Sequence, residues 1–314
     1  MSERIDLYLT NKLKDCKGKN EFSRVEIQNF IKNGFIKVNN KIISKPSVCV
    51  SPNDKIDIDM NMINSYVNTK IEDNKIKPKE MEIKIVFENE NLFIIDKPIG
   101  LTVHPGAGNK NDTLVNGLLA LKESGKITLS NERGNERLGI VHRLDKDTSG
   151  LMIIAKHNKA HRLLSELIKE HQIDRRYLAL CHGTPIPSIG RIENYICRDK
   201  KNIEKMKVCN QNDVGAKIAI TNYKTLKIIE DGKYSIVECK LETGRTHQIR
   251  LHMQTIKHPL VGEQIYTTKN FKEEDKKNNF SHQMLHSYKL NFVDPISEEE
   301  INLTLINDEF KELF

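Results

Sequence analysis

The sequence predicts an α+β protein in two unequal parts: a small α+β unit at the N-terminus, then a larger domain on a largely antiparallel, mixed sheet. Three observations lead there. Near the start, Ile5, Leu9 and Leu13 recur every four residues, which marks one face of a helix. Beyond residue 83, apolar runs of strand length follow one another with few helical patterns between them. The length, 314 residues, suits two domains at roughly 100–200 residues each.

The first unit is read as residues 1–60. After the opening helix, Ser23-Arg24-Val25-Glu26 has the capping-box pattern, Ser followed three residues later by Glu. It opens a second helix whose apolar face is Ile27, Phe30 and Ile31, and Gly34 is suited to end it in a left-handed conformation. Phe35–Val38 reads as a strand, Asn39-Asn40 as a turn, and Lys55–Asp59 as an alternating strand. Residues 61–82 are polar and poor in large apolar side chains, the composition of a linker.

The larger domain is read as residues 83–314. Asn91–Asp96 is a buried-strand run stopped by Lys97-Pro98, and Leu114, Leu118 and Leu119 suggest a short helix. Leu151–Ala155 is another apolar strand. Asn158 is placed to cap the helix after it, whose residues Ala160, Leu163, Leu164, Leu167 and Ile168 follow helical spacing closely. Further strands are expected at Tyr177–Cys181, Ala216–Thr225 and Tyr234–Leu241.

Composition narrows the function. No run approaches the ~18 apolar residues of a membrane span, and the charged start Met1-Ser2-Glu3-Arg4-Ile5-Asp6 lacks a signal peptide's apolar stretch. A cytoplasmic protein with no membrane association is expected. The six cysteines include no C-x-x-C pair, so reduced thiols and no metal site are expected. Net charge is +7, and residues 1–50 hold ten Lys and Arg against five Asp and Glu. A basic face of that kind suits a polyanion such as nucleic acid, and equally a solvated surface in a Lys-rich chain.

The densest chemistry lies in Gly139–Lys156, where His142-Arg143-Leu144-Asp145-Lys146-Asp147-Thr148-Ser149-Gly150 forms a polar loop leading into an apolar strand. Arg143 and Lys146 beside Asp145 favour its ionised form. On residue chemistry alone this is either a catalytic carboxylate or a polar turn that satisfies its own backbone. His247 and His252 are five apart, not the i, i+4 spacing of a helical zinc pair.

The run His142–Leu151 resembles the signature of the RluA family of pseudouridine synthases. Three further segments match that family in order: Asp96–Pro105, Arg175–Leu180 and Gly244–His252. Leu285–Leu290 also fits, with Ser287 where Ala is more usual. Together with Val103–Asn109 and the N-terminal unit, the pattern is most similar to the large-subunit ribosomal RNA synthase D subgroup. Arg4, Asp6, Ser23, Arg24, Gly34, Val38 and Asn39 resemble the pattern of the S4 RNA-binding domain. Two features depart from the family: Glu263 stands where Asp is usual, and residues 267–280 are highly charged.

The resemblance implies an isomerase with the pseudouridine synthase fold, needing neither metal nor organic cofactor. It assigns the catalytic carboxylate to Asp145, the active-site tyrosine to Tyr177 and the carboxylate's partner to Arg250. RNA contacts are expected from Arg143, which would fill the space of a flipped nucleotide, from His142, and from Arg4, Ser23, Arg24, Lys32 and Lys37 of the first unit. The expected partner is RNA, most of all large-subunit rRNA, and the expected state is monomeric. Transfer RNA as substrate, or a non-catalytic RNA-binding protein retaining the fold, are the alternatives. A hydrolase using Asp145 and Asp147 is weaker, because two carboxylates on one loop approach a sugar from one side and glycoside hydrolysis needs them flanking the bond. Deleting residues 1–60 is expected to weaken RNA binding more than it slows single-turnover chemistry at saturating RNA; equal affinity in a titration of both proteins would refute an RNA-binding role for that unit.

Overall fold

The computed structural model describes residues 2–13, 22–106, 109, 111–134 and 137–314. Cys16, Ala107 and Gly108, which carried expectations above, lie outside the described residues. The chain divides into two compact units, Met1–Lys75 and Ile76–Phe314.

The first unit runs β1 (Glu3–Arg4), α1 (Ile5–Lys12), α2 (Arg24–Lys32), β2 (Ile36–Val38), β3 (Lys41–Ile42), β4 (Cys49–Val50), β5 (Ile56–Ile58) and α3 (Met60–Asn74). The Ser23 capping box forms: its hydroxyl accepts from Glu26 N and the Glu26 carboxylate accepts from Ser23 N. Ile5, Leu9, Ile27, Ile31 and Ile36 bury their side chains around Phe30, on whose ring Phe22 and Tyr66 stand edge-on. Each such burial contributes about 1.5–3 kcal/mol.

The linker expectation is corrected here. Residues 60–74 are helical, and Ile63, Tyr66 and Val67 lay a narrow apolar stripe on the core of the first unit. With Met60 they make four apolar residues on one side of the helix, enough to dock it although most of its other residues are polar. The following residues also belong to a folded unit: Ile76 packs on the larger core, and Lys79 N bonds to Asn116 O. The unit boundary therefore falls at Lys75 rather than Met60, and a truncation is best made there.

The second unit runs β6 (Lys84–Glu88), β7 (Leu92–Lys97), α4 (Leu114–Glu123), β8 (Ser149–Ala155), α5 (Asn158–Lys169), β9 (Asp174–His182), β10 (Ile189–Arg198), β11 (Met206–Cys209), β12 (Lys217–Ile229), β13 (Tyr234–Leu241), α6 (Gln248–Thr255), α7 (Lys269–Lys277), β14 (Leu285–Val293), β15 (Glu300–Thr304) and α8 (Asp308–Lys311). Among the described residues its strands form one ten-stranded sheet in the order β11-β10-β12-β13-β9-β14-β8-β7-β6, with β15 beside β14. Every pairing is antiparallel except β14 with β8. The sheet is thus two antiparallel halves, β6–β8 and β9–β13, with β14 between them.

Both faces are covered, which explains the unbroken apolar runs. Phe93 and Ile95 of β7 pack toward α4 and α6, while Leu92 and Ile94 pack on the opposite face toward α5. The cap of α5 differs from expectation. His157 is the N-cap, its Nδ1 accepting from Ala160 N, and Asn158 Oδ1 instead accepts from Ser130 and Asn131 of the preceding loop. The charged segment 267–280 contains α7, which docks through buried Asp275: its carboxylate accepts from Gly262 N and faces His182 at 3.0 Å, while Phe271 stacks on that imidazole.

The β14–β8 join demands a glycine. Gly150 has φ of +107°, and a Cβ there would lie 2.2 Å from Ser287 O. Gly150→Ala is expected to destabilise the second unit by at least about 3 kcal/mol, from a strained backbone and a clash with main chain that cannot move alone; the shift in urea midpoint measures it.

Candidate active site

The loop before β8 is set by what its alternate residues touch. His142 Nε2 accepts from Ile153 N at 3.0 Å, and Leu144 is buried in the core. Arg143 points to solvent, and Asp145, partly buried, lines a pocket of about 400 Å³. Lys97, fully buried at the end of β7, clamps this loop: its ammonium donates to Pro98 O, Leu101 O and Lys146 O at 2.7–3.0 Å. Burial pushes that ammonium down to about 8, with Asp147, Asp145 and Asp96 resisting. All three protons of the charged form are used on carbonyls.

Across the pocket, α6 presents Arg250. Its Nη1 bonds Asp145 Oδ2 at 3.2 Å, and its Nε and Nη2 take both oxygens of buried Glu263 at 2.7 and 2.8 Å. Glu263 also accepts from Ile265 N and Tyr266 N. Burial opposes its charge, but Arg250 and those amides outweigh it and keep the carboxyl below its ordinary value. Arg250 is likewise held protonated against burial by Glu263 and Asp145. The Tyr266 ring lies 5.5 Å from the guanidinium.

The start of α6 is fixed by Gln248. Its Oε1 accepts from Thr243 Oγ1 and Arg245 N, and its Nε2 donates to Ile220 O and Thr221 Oγ1. His247 sits in the left-handed region, φ +55°, with Nε2 3.9 Å from Asp145 and Nδ1 bonded to Tyr266 OH. Burial lowers its pKa, although Asp145 pulls the other way. A non-glycine residue in that conformation is a local strain of about 1–3 kcal/mol, common where a side chain is aimed at a site.

Tyr177 of β9 is buried and lines the same pocket. Burial raises its phenol, so the ring is neutral near pH 7. Five Lys and Arg side chains line the pocket, and Asp145 is the one carboxylate among the lining residues. Such a pocket favours an anionic ligand.

Of the expected RNA-contacting residues, Arg143 is exposed at this pocket, while His142 is turned to structural use. Its pKa falls to about 3 through burial and the nearby Arg175, so it stays neutral and serves as a backbone acceptor. In the first unit, Arg4 and Arg24 both grip the buried Asp6 carboxylate at about 3.0 Å, joined by Gln28. Burial works against that charge, but the Gln28, Arg4 and Arg24 bonds hold Asp6 down at about 2. Ser23 is occupied by its cap, and Lys32 and Lys37 are exposed. Lys97 and Arg175 were not singled out as site residues from sequence, His247 was read there as structural or RNA-facing, and Glu263 appeared only as a departure. Among the described residues, one metal-sized group occurs, Cys197, Cys209 and Asp213, with ligand atoms within 4.8 Å of one another; none of the three lines the pocket.

Comparison with known proteins gives a consistent result. Residues 91–255 match the RNA pseudouridylate synthase family, and residues 19–56 match the S4 domain. The chain is 40% identical over 228 residues to "Ribosomal large subunit pseudouridine synthase D" of Zymomonas mobilis, covering 72% of this chain and 69% of that protein. It is 38% identical over 305 residues to a protein of the same name from Neisseria meningitidis, covering 95% and 74%. An "Uncharacterized RNA pseudouridine synthase" of Bacillus subtilis is 35% identical over 96% of this chain and 89% of its own length. Among solved structures, "Human RNA Pseudouridylate Synthase Domain Containing 1" has the same fold: TM-score 0.57, 22% identity, 76% of this chain and 89% of that one. Fold and pocket together define an RNA-modifying isomerase that carries an S4 domain. The chain belongs to the RNA pseudouridine synthase family.

Protonation should register in stability. His104, His142 and His252 are lowered to about 4, 3 and 4, burial being the first cause of each, against about 6.5 in an unfolded chain. Between those values the unfolded chain binds protons that the folded one refuses, so stability falls as pH drops below about 6.5. His161, His247 and His286 are lowered as well, and His282, raised by Glu309, is one group against six. A lower urea midpoint at pH 5 than at pH 7.5 is expected; equal midpoints would contradict it.

Proposed function

We propose that this synthase converts uridines of large-subunit ribosomal RNA to pseudouridine, with Asp145 as the catalytic carboxylate. The observation that carries the reading is Asp145 fixed by Arg250, itself fixed by Glu263, in a cation-lined pocket that also holds Tyr177. The names of the Zymomonas and Neisseria relatives support the choice of RNA.

The chemistry breaks the uridine N1–C1′ bond, turns the base and joins C5 to C1′; the C5 proton leaves and N1 gains one, so the product is an isomer. An ionised carboxylate under the sugar serves this by stabilising positive charge at C1′, by attacking it, or by taking the 2′ proton. Arg250 pairs with Asp145 and aims it. Tyr177 stacks against the uracil and lies near the C5 proton; its neutral phenol suits stacking better than strong-base chemistry. Reaching C1′ requires the nucleotide to leave its stack, at about a few kcal/mol, and exposed Arg143 fills the vacated space. Residues 1–75 add affinity through Lys32, Lys37 and the solvent-facing edges of Arg4 and Arg24. Such a synthase works in the cytoplasm as a monomer, without metal or organic cofactor. No helix among the described residues is long and apolar enough to cross a membrane.

The test is chemical mapping of pseudouridine in unmodified large-subunit rRNA incubated with wild type and with Asp145→Asn. New sites with wild type and none with the variant are expected. Modification of tRNA alone would reassign the substrate, and RNA binding with no modification of either would leave a binding protein.

A further inference from the structure

Arg175 and Arg176 are neighbours on β9 with opposite fates. Arg176 faces Asp174 and Glu238 and bonds both. Arg175 faces the active-site pocket, is 4% exposed, and its guanidinium makes no hydrogen bond or ion pair among the described residues. Its Nε is buried without a partner. An uncompensated buried cation is costly to a folded protein, and a group of that kind calls for an explanation.

The surroundings supply one. The guanidinium lies directly beneath Gly244, where a Cβ would stand 2.9 Å from Nη1 and 3.5 Å from Nη2. Gly244 is itself exposed, so any side chain there would crowd the guanidinium and narrow its approach from the rim. Arg143, Lys169 and Arg245 line the same pocket, and its one carboxylate, Asp145, is already matched by Arg250. Arg175 and Tyr177 are two apart on one strand, hence on one face and roughly 7 Å apart. That span is comparable with the distance from a nucleobase to its own phosphate.

We infer that Arg175 is a phosphate-binding residue, built to take a backbone phosphate flanking the target uridine as the base enters toward Tyr177. The missing counter-anion is brought by the substrate, and the unpaired charge in the free enzyme is kept for it. This assignment rests on the RNA synthase reading above.

The experiment uses the full chain and an RNA fragment in which the wild type forms pseudouridine, a conversion that checks the underlying reading separately. Arg175→Gln is expected to raise the half-saturating RNA concentration at least tenfold, with the saturating single-turnover rate changed far less. The slope of log affinity against log salt should fall by about one phosphate contact, ~0.7–0.9. An uncharged methylphosphonate on the 5′ or the 3′ side of the target should weaken wild type by a similar factor at one of those positions and leave Arg175→Gln unaffected there. Arg175→Met should fold and melt no lower than wild type, because it removes an unpaired buried charge. The inference is overturned by unchanged affinity and salt slope. It is equally overturned by a fall confined to the saturating rate, which would make the departing uracil the partner, or by both variants melting well below wild type, which would make Arg175 structural.

Discussion

One guanidinium serves two carboxylates, and the geometry of the site depends on that sharing. Glu263 takes Nε and Nη2 of Arg250 in a fork, and backbone amides of residues 265 and 266 hold Glu263 in turn. Nη1 is turned toward Asp145. A bidentate pair fixes the plane of a guanidinium as well as its place. Asp145 therefore meets a donor whose direction was set before any substrate arrived, the condition under which electrostatic stabilisation needs no reorganisation during reaction. Glu in place of the family's usual Asp keeps that fork intact here.

The same logic runs outward. Asp145 belongs to the loop entering β8, in one half of the sheet. Tyr177 is on β9 in the other, and Arg250 is on α6, which packs on the face that both halves share. β14 fills the gap, bonding β8 on one side and β9 on the other. Gly150 lets β8 and β14 approach closely, and Lys97 ties the loop that carries Asp145 to β7. The strand and the two residues all limit how far Asp145 can stray from Arg250.

Much of this was legible in the sequence, and the exceptions have physical causes. Strands buried on both faces advertise themselves as apolar runs, so β7, β8 and β13 were readable, whereas β11, a short strand at the sheet edge, and β10 beside it interleave apolar residues with exposed polar ones and offer no such run. Helix α3 was hidden because a stripe of four apolar residues suffices to dock it. Asp145, Tyr177 and Arg250 stood out through the family's motifs. Arg175 sat inside one of those motifs without drawing notice, because its distinction is the lack of a partner, and partners are a property of three dimensions. Likewise nothing in the order of residues tells that His142 looks inward to Ile153 while Arg143 looks out.

The position of β14 also sets a timetable. A chain made from its N-terminus finishes β6–β8 and then β9–β13 while both inner edges stand open, since the strand that closes them begins only at Leu285. Pairings so distant in sequence form slowly, and unpaired edges invite association with other chains. β14 is thus the keystone of the sheet. Until Leu285–Val293 pairs, the strand that follows the Asp145 loop and the strand that carries Tyr177 belong to two separate half-sheets, and the pocket they line is joined only when β14 enters.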